Sequence, residues 1–136
     1  MLTPEIKKAL ATYTTAMQSD AVFVLQEGVH EKRTELLAFL TEVASTSNRL
    51  SVEERNVPKI LRSPVSFYLE VDGQNTGIKF SGIPSGHEFN SLILAVLNNT
   101  GTPSKLDDSL KAIVKSVNTP LNFEVFVSLS CHNCPD

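Results

Sequence analysis

Ala21-Val22-Phe23-Val24-Leu25-Gln26 is an almost unbroken apolar run flanked on both sides by amphipathic helical patterns. A strand this apolar is buried on both faces, which is the habit of a parallel sheet covered by helices, and it places the chain in the α/β class. Upstream, Ile6, Ala9, Leu10, Tyr13 and Met17 recur at helical spacing, with Thr3 as N-cap and Pro4 at the first helical position. Downstream, Leu36, Leu37, Leu40, Val43 and Ala44 form one stripe of a second helix over about 31–45. Leu50 and Val52 alternate with polar neighbours in a short strand.

The pattern then changes. Residues 56–64, bracketed by Pro58 and Pro64, read as an irregular connection. Val65, Phe67, Leu69 and Val71 alternate with Ser66, Tyr68 and Glu70, and the turn Asp72-Gly73-Gln74-Asn75 leads to Ile78 and Phe80, which predicts a hairpin. Phe89, Leu92, Ile93, Val96 and Leu97 predict a third helix, with Ser85 and Glu88 in the spacing of a capping box, each side chain accepting the other's backbone N–H. A fourth helix over 104–117 carries Leu106, Leu110, Ile113, Val114 and Val117 on its expected buried face, with Asp107 and Asp108 in its first turn and Lys111 and Lys115 later. A strand at 121–129 follows, with Leu121, Phe123, Val125, Val127 and Leu129 on one face. Tyr13, Phe39 and Phe67 read as core or half-buried packing.

Charge and length exclude several classes. Twelve basic against fifteen acidic residues give a net charge of −3, which supplies no basic patch for nucleic acid or an anionic membrane surface. No apolar run is long enough to span a bilayer, and the N-terminus has neither the apolar core nor the cleavage site of a signal peptide. A cytoplasmic chain of 136 residues with room for a real core is the expectation.

The chain holds two cysteines, Cys131 and Cys134, directly after the last strand. In a reducing compartment such a pair is more often catalytic or metal-binding than a structural staple. Zinc requires four ligands, and the further donors here are His30, His87 and His132, with no second Cys-x-x-Cys. A redox dithiol at a strand-to-helix turn is the reading the context favours, with half a zinc site or a structural disulfide as alternatives. The first cysteine of such a turn lies where the dipole of a following helix lowers its pKa, so Cys131 is the attacking thiol and Cys134 the resolving one. His132 and Asn133 lie between them, where a protonated His132 would favour the thiolate or simply sit exposed. Pro135 fits the first turn of a following helix. The chain stops before that helix, and the expectation is a piece cut just past its own active site.

Val22-Phe23-Val24 and Val125-Phe126-Val127 are identical triplets, each after an amphipathic helix and before a turn. Superposing them sets Gly28 opposite Cys131 and Glu31 opposite Cys134, which predicts a repeated unit. On that reading residues 1–100 are a complete thioredoxin-like fold whose Cys-x-x-Cys has been lost. Residues 101–136 are the linking helix, strand and Cys-x-x-Cys turn that begin a second, incomplete one.

Gly86-His87-Glu88-Phe89, Ser91-Leu92, Pro103-Ser104-Lys105 and above all Ser128-Leu129-Ser130-Cys131-His132-Asn133-Cys134-Pro135-Asp136 resemble the N-terminal region of the flavoprotein component of alkyl hydroperoxide reductase. The resemblance implies two tandem thioredoxin-like folds, of which the second carries the dithiol. It implies a C-terminal flavin- and nicotinamide-binding module, similar to thioredoxin reductase, that uses FAD and NAD(P)H. It further implies a peroxiredoxin partner that receives the electrons and reduces hydroperoxides. No Gly-x-Gly-x-x-Gly fingerprint occurs in these residues, so both cofactors are expected to bind outside them and this chain is expected to carry none. Carried onto matching positions, the resemblance implies that Glu88 lies near the dithiol and exchanges protons with it. It also implies that Pro64 follows a cis bond in the position that faces the active site in such folds. The chain is then part of a disulfide oxidoreductase. The second reading is a docking and structural module without chemistry of its own. An exposed edge at 121–129 would in either case offer pairing to a second copy.

Overall fold

A computed structural model describes residues 2–103 and 105–128. The elements run α1 (Pro4–Tyr13), a 3₁₀ turn (Thr14–Ala16), β1 (Ala21–Gln26), α2 (Arg33–Ala44), β2 (Leu50–Arg55), β3 (Ser66–Val71), β4 (Gln74–Ser81), α3 (Glu88–Asn99) and α4 (Asp108–Lys115). Thr3 caps α1, its hydroxyl accepting the Ile6 N–H, and Pro4 opens the helix. The strands form one sheet in the order β2-β1-β3-β4. β1 runs parallel to β2, with Ala21 opposite Leu50, and antiparallel to β3, with Phe23 opposite Leu69. The β3–β4 hairpin closes at Asp72 and Gly73, both at positive φ, the turn whose twist matches the strands it joins.

The core lies on one face of this sheet. Ala21, Phe23 and Leu25 of β1 and Phe67 and Leu69 of β3 meet Leu36, Phe39, Leu40 and Val43 of α2 and Leu92 and Val96 of α3. Phe23 and Phe67 meet edge to face at 5.8 Å, and Phe67 stacks on Phe80 at 5.2 Å. The central strands are buried on their other side as well, where Leu61, Val57 and Ile60 of the connection 56–63 cover Val24 and Tyr68. Hence the period-two pattern of 65–71, which predicts one wet face, gives a strand buried at every position from Ser66 to Glu70. Tyr68 packs beneath Leu61, and the Glu70 carboxylate receives both terminal nitrogens of Arg55, at 2.7 and 3.1 Å, from across β1.

Three expectations change. Ser85 and Glu88 do not form a capping box. His87 is the N-cap of α3, with no capping hydrogen bond from its side chain, and the Glu88 N–H donates to the Ser85 carbonyl at 3.2 Å, because a turn through Gly86 and His87 delays the helix. Tyr13 is 58% exposed rather than packed. The fourth helix is shorter than 104–117, starting where the Asp107 carboxylate accepts the Leu110 N–H at 2.8 Å, a bond that also holds Asp107 below the ordinary carboxylate range. Its apolar stripe, expected to be buried, is exposed: Leu110 46%, Ile113 64% and Val114 61%. Residues 121–128, expected as a strand, form no ladder among the described residues, and Phe123, Val125 and Phe126 are exposed. Among the described residues no helix is long and apolar enough to cross a membrane.

Candidate functional site

The place that superposition of the two Val-Phe-Val units assigns to a first cysteine is occupied by Gly28, immediately after β1. Its φ is +136°, and a Cβ added there would stand 2.7 Å from Cγ of Pro64. The backbone at 28 and the Pro64 ring are therefore in direct contact, with no room for a thiol between them. This contact brings together two positions singled out in the sequence, the vacated cysteine position and the proline after the irregular connection.

Gln26 holds that junction. It is buried, its amide donates to Oδ1 of Asn56 at 3.0 Å, and its amide oxygen accepts the Val57 N–H at 2.8 Å. The end of β1 is thus tied to the start of the 56–63 connection. The Arg33 guanidinium closes the same corner, donating to the Gln26 carbonyl at 3.0 and 3.1 Å and to Glu54 at 2.6 Å. On the other side of Pro64, hydroxyls run in a chain from Ser63 to Ser66 (3.0 Å) to Ser81 (2.9 Å). Gln26, Arg33 and these serines were not legible as a group, because their contacts join segments far apart in sequence: the end of β1 and the start of α2 to the end of β2 and the connection after it, and β3 to β4. The one available signal was a single glutamine at the end of an otherwise apolar strand.

Glu88 is the first residue of α3 and is 9% exposed. Its Oε1 is buried without a hydrogen-bond partner among the described residues. A helix N-terminus favours a carboxylate, yet an unpartnered buried carboxylate oxygen costs about 1–3 kcal/mol or more. Phe89, the next residue, packs edge to face on Phe39 at 5.9 Å, which fixes the first turn of the helix.

Beyond α4, Glu124 forms an ion pair with Arg62 of the connection that carries Pro64. Cys131, His132, Asn133, Cys134 and Pro135 lie outside the described residues. Pro64 and Glu88 are the predicted site residues whose surroundings are described.

No protein-family model matches the chain. Over all 136 residues it is 40% identical to the F component of the alkyl hydroperoxide reductase of Staphylococcus epidermidis and 39% identical to a protein of Bacillus subtilis named NADH dehydrogenase. It spans about a quarter of the length of these curated relatives, 26% in each case. Among solved structures, 99% of the chain matches 70% of the NTD_N/C domain of the alkylhydroperoxide reductase AhpF from Enterococcus faecalis, with a TM-score of 0.84 at 31% identity. A mutant AhpF from the same organism matches over 99% of this chain and 69% of its own, with a TM-score of 0.82 at 34% identity. With this fold, this length of match and a whole-chain alignment that runs through Cys131 and Cys134, the chain belongs to the AhpF family of alkyl hydroperoxide reductase components, as its thioredoxin-like N-terminal region.

Proposed function

We propose that this chain carries the dithiol step of an alkyl hydroperoxide reductase system: it accepts electrons from a flavin- and nicotinamide-dependent disulfide reductase module of the same protein and passes them to a peroxiredoxin. The observation that carries the reading is the whole-chain match to AhpF relatives, which includes the Cys131-His132-Asn133-Cys134-Pro135 stretch. The Gly28–Pro64 contact supports it, because the first unit has no thiol at the equivalent turn and leaves the chemistry to the second.

In this mechanism the Cys131 thiolate attacks one sulfur of the peroxiredoxin disulfide. A mixed disulfide forms and the other peroxiredoxin sulfur leaves as a thiolate. Cys134 then attacks Cys131, freeing the second peroxiredoxin thiolate and leaving a Cys131–Cys134 disulfide. Two electrons have moved to the partner, and its thiolates take up two protons. His132 and Asn133 tune the thiolate, and Pro135 opens the helix whose dipole favours it. Glu88 supplies and recovers a proton at the dithiol, the role that its buried, unpartnered oxygen suits. The flavin module re-reduces the pair with electrons from NAD(P)H. The setting is cytoplasmic.

The test is the full-length protein with NADH, a peroxiredoxin and hydroperoxide. Cys131→Ser is expected to abolish peroxide-dependent NADH oxidation while NADH still reduces the flavin. Undiminished oxidation in that variant sinks the proposal and leaves the docking-module reading in its place.

A further inference from the structure

The segment that leaves the first unit is tied down at three consecutive residues. Thr100, 1% exposed, caps α3: its hydroxyl donates to the Val96 carbonyl at 2.7 Å, and its own carbonyl accepts the Gln18 N–H at 2.5 Å. Gly101 follows at φ +134°, a conformation that side chains rarely adopt, and lies flat on Gln18. A Cβ at 101 would meet Cγ, Cδ and Cβ of Gln18 at 2.9, 3.1 and 3.2 Å. Thr102 then turns its N–H back to the Leu97 carbonyl at 3.0 Å, and Pro103, with its restricted φ, leads toward α4. The partner in this contact is the turn between α1 and β1, one residue beyond Met17, which is buried in the core.

Surface loops joining two folded bodies do not need such anchoring. A freely jointed connection would leave its backbone groups to water and would not require a left-handed residue against a neighbour. α4, the element that this exit leads to, buries no residue of its own against the first unit. The direction in which the chain leaves residues 100–102 therefore governs where α4 and the residues after it go, with the Arg62–Glu124 pair as a second tie further on.

We infer that Gln18 and Gly101 are positioning residues: they form a latch that fixes the exit of the inter-unit segment and so directs α4 and the residues that follow it, the two cysteines included, relative to the first unit. This rests on the dithiol-transfer reading above for its chemical consequence, though not for its geometry. A misdirected exit leaves both units folded and the reacting groups misplaced, and displacements of about 1 Å are enough to cost up to about 100-fold in rate.

The experiment uses the full-length protein with spin labels on non-natural residues at Thr34 of α2 and Lys115 of α4, in wild type, Gly101→Val and Gln18→Pro. The proline variant removes the N–H that Thr100 accepts, and Met17, with φ −65° and ψ 130°, already has the backbone that precedes a proline. Wild type is expected to give a narrow distance distribution and both variants a broadened or displaced one. Peroxide-dependent NADH oxidation is expected to fall by about 10-fold or more. Flavin reduction by NADH and the reduction potential of the dithiol, which a general loss of structure would move, are expected to stay unchanged. A distribution as narrow and as centred as wild type in both variants overturns the latch. A broadened distribution with undiminished turnover overturns its role in positioning. Absence of transfer in wild type overturns the dithiol reading alone, and the distances then decide the latch by themselves.

Discussion

Glu88 concentrates the tension between stability and chemistry in one side chain. Its spacing from Ser85 matches a capping box, in which the carboxylate would be committed to a backbone N–H. The two residues Gly86 and His87 shift the cap and leave Oε1 buried and without a partner among the described residues, an outcome that the sequence pattern conceals because the box depends on where the helix starts. Replacing Glu88 with Gln, which has a donor in place of a buried charge, is expected to leave stability unchanged or raise it by about 1 kcal/mol. The same variant is expected to slow dithiol transfer. Thermal unfolding and steady-state turnover measured on one preparation check both halves. Gly28 makes the opposite case: Gly28→Ala adds a methyl at a left-handed position against Pro64 and is expected to cost about 2–3 kcal/mol, read as a lower midpoint in urea with an unchanged slope. In the sequence Gly28 reads as the position opposite Cys131; its contact with Pro64 depends on folding the 56–63 connection back.

At the scale of elements, the helices of 2–103 follow from periodicity because each has one apolar face and one place to put it, and β1 follows from an apolar run with both faces to cover. The exception is β3. Its alternating polar residues predict solvent, and they are instead buried beneath a connection that has no regular structure to announce itself. Glu70 tolerates that burial through Arg55, whose hydrogen bonds hold the carboxylate below its ordinary range. Because the folded value is depressed, this contribution is fully present above the unfolded carboxylate range of about 4.3. It is lost as pH falls through the lower folded value. Glu70→Gln is expected to cost about 1–2 kcal/mol at pH 7, since Arg55 is partly exposed, and the gap to wild type is expected to close in acid; urea midpoints across pH check this. The stripe of α4 was equally legible as apolar, but not its exposure: a hydrophobic pattern says that a face seeks cover and not what covers it. Ile113→Glu on that face is expected to leave the stability of the first unit within about 0.5 kcal/mol of wild type, as the midpoint in urea measures.

For the whole molecule, a complete sheet-and-helix unit is followed by elements with no sheet to join among the described residues. The repeated Val-Phe-Val triplet foreshadows that asymmetry: the first copy is buried in β1, whereas Val125 and Phe126 of the second are exposed. The first unit has a glycine in contact with Pro64, a buried carboxylate at Glu88 and an exit held against Gln18. The repeat and the cysteine motif are what suggest a division into two units from residues alone. The Gly101–Gln18 contact was invisible because it joins the end of α3 to a turn near the start of the chain. The most direct measurement is the reduction potential of the Cys131–Cys134 pair in the full-length protein, equilibrated in dithiothreitol or glutathione buffers, alkylated and counted by mass on the peptide that carries both cysteines. The account predicts a reversible two-electron transition between roughly −180 and −280 mV, the span of dithiol carriers and isomerases. Thiols that stay reduced, or a pair that never reopens across those buffers, would contradict it.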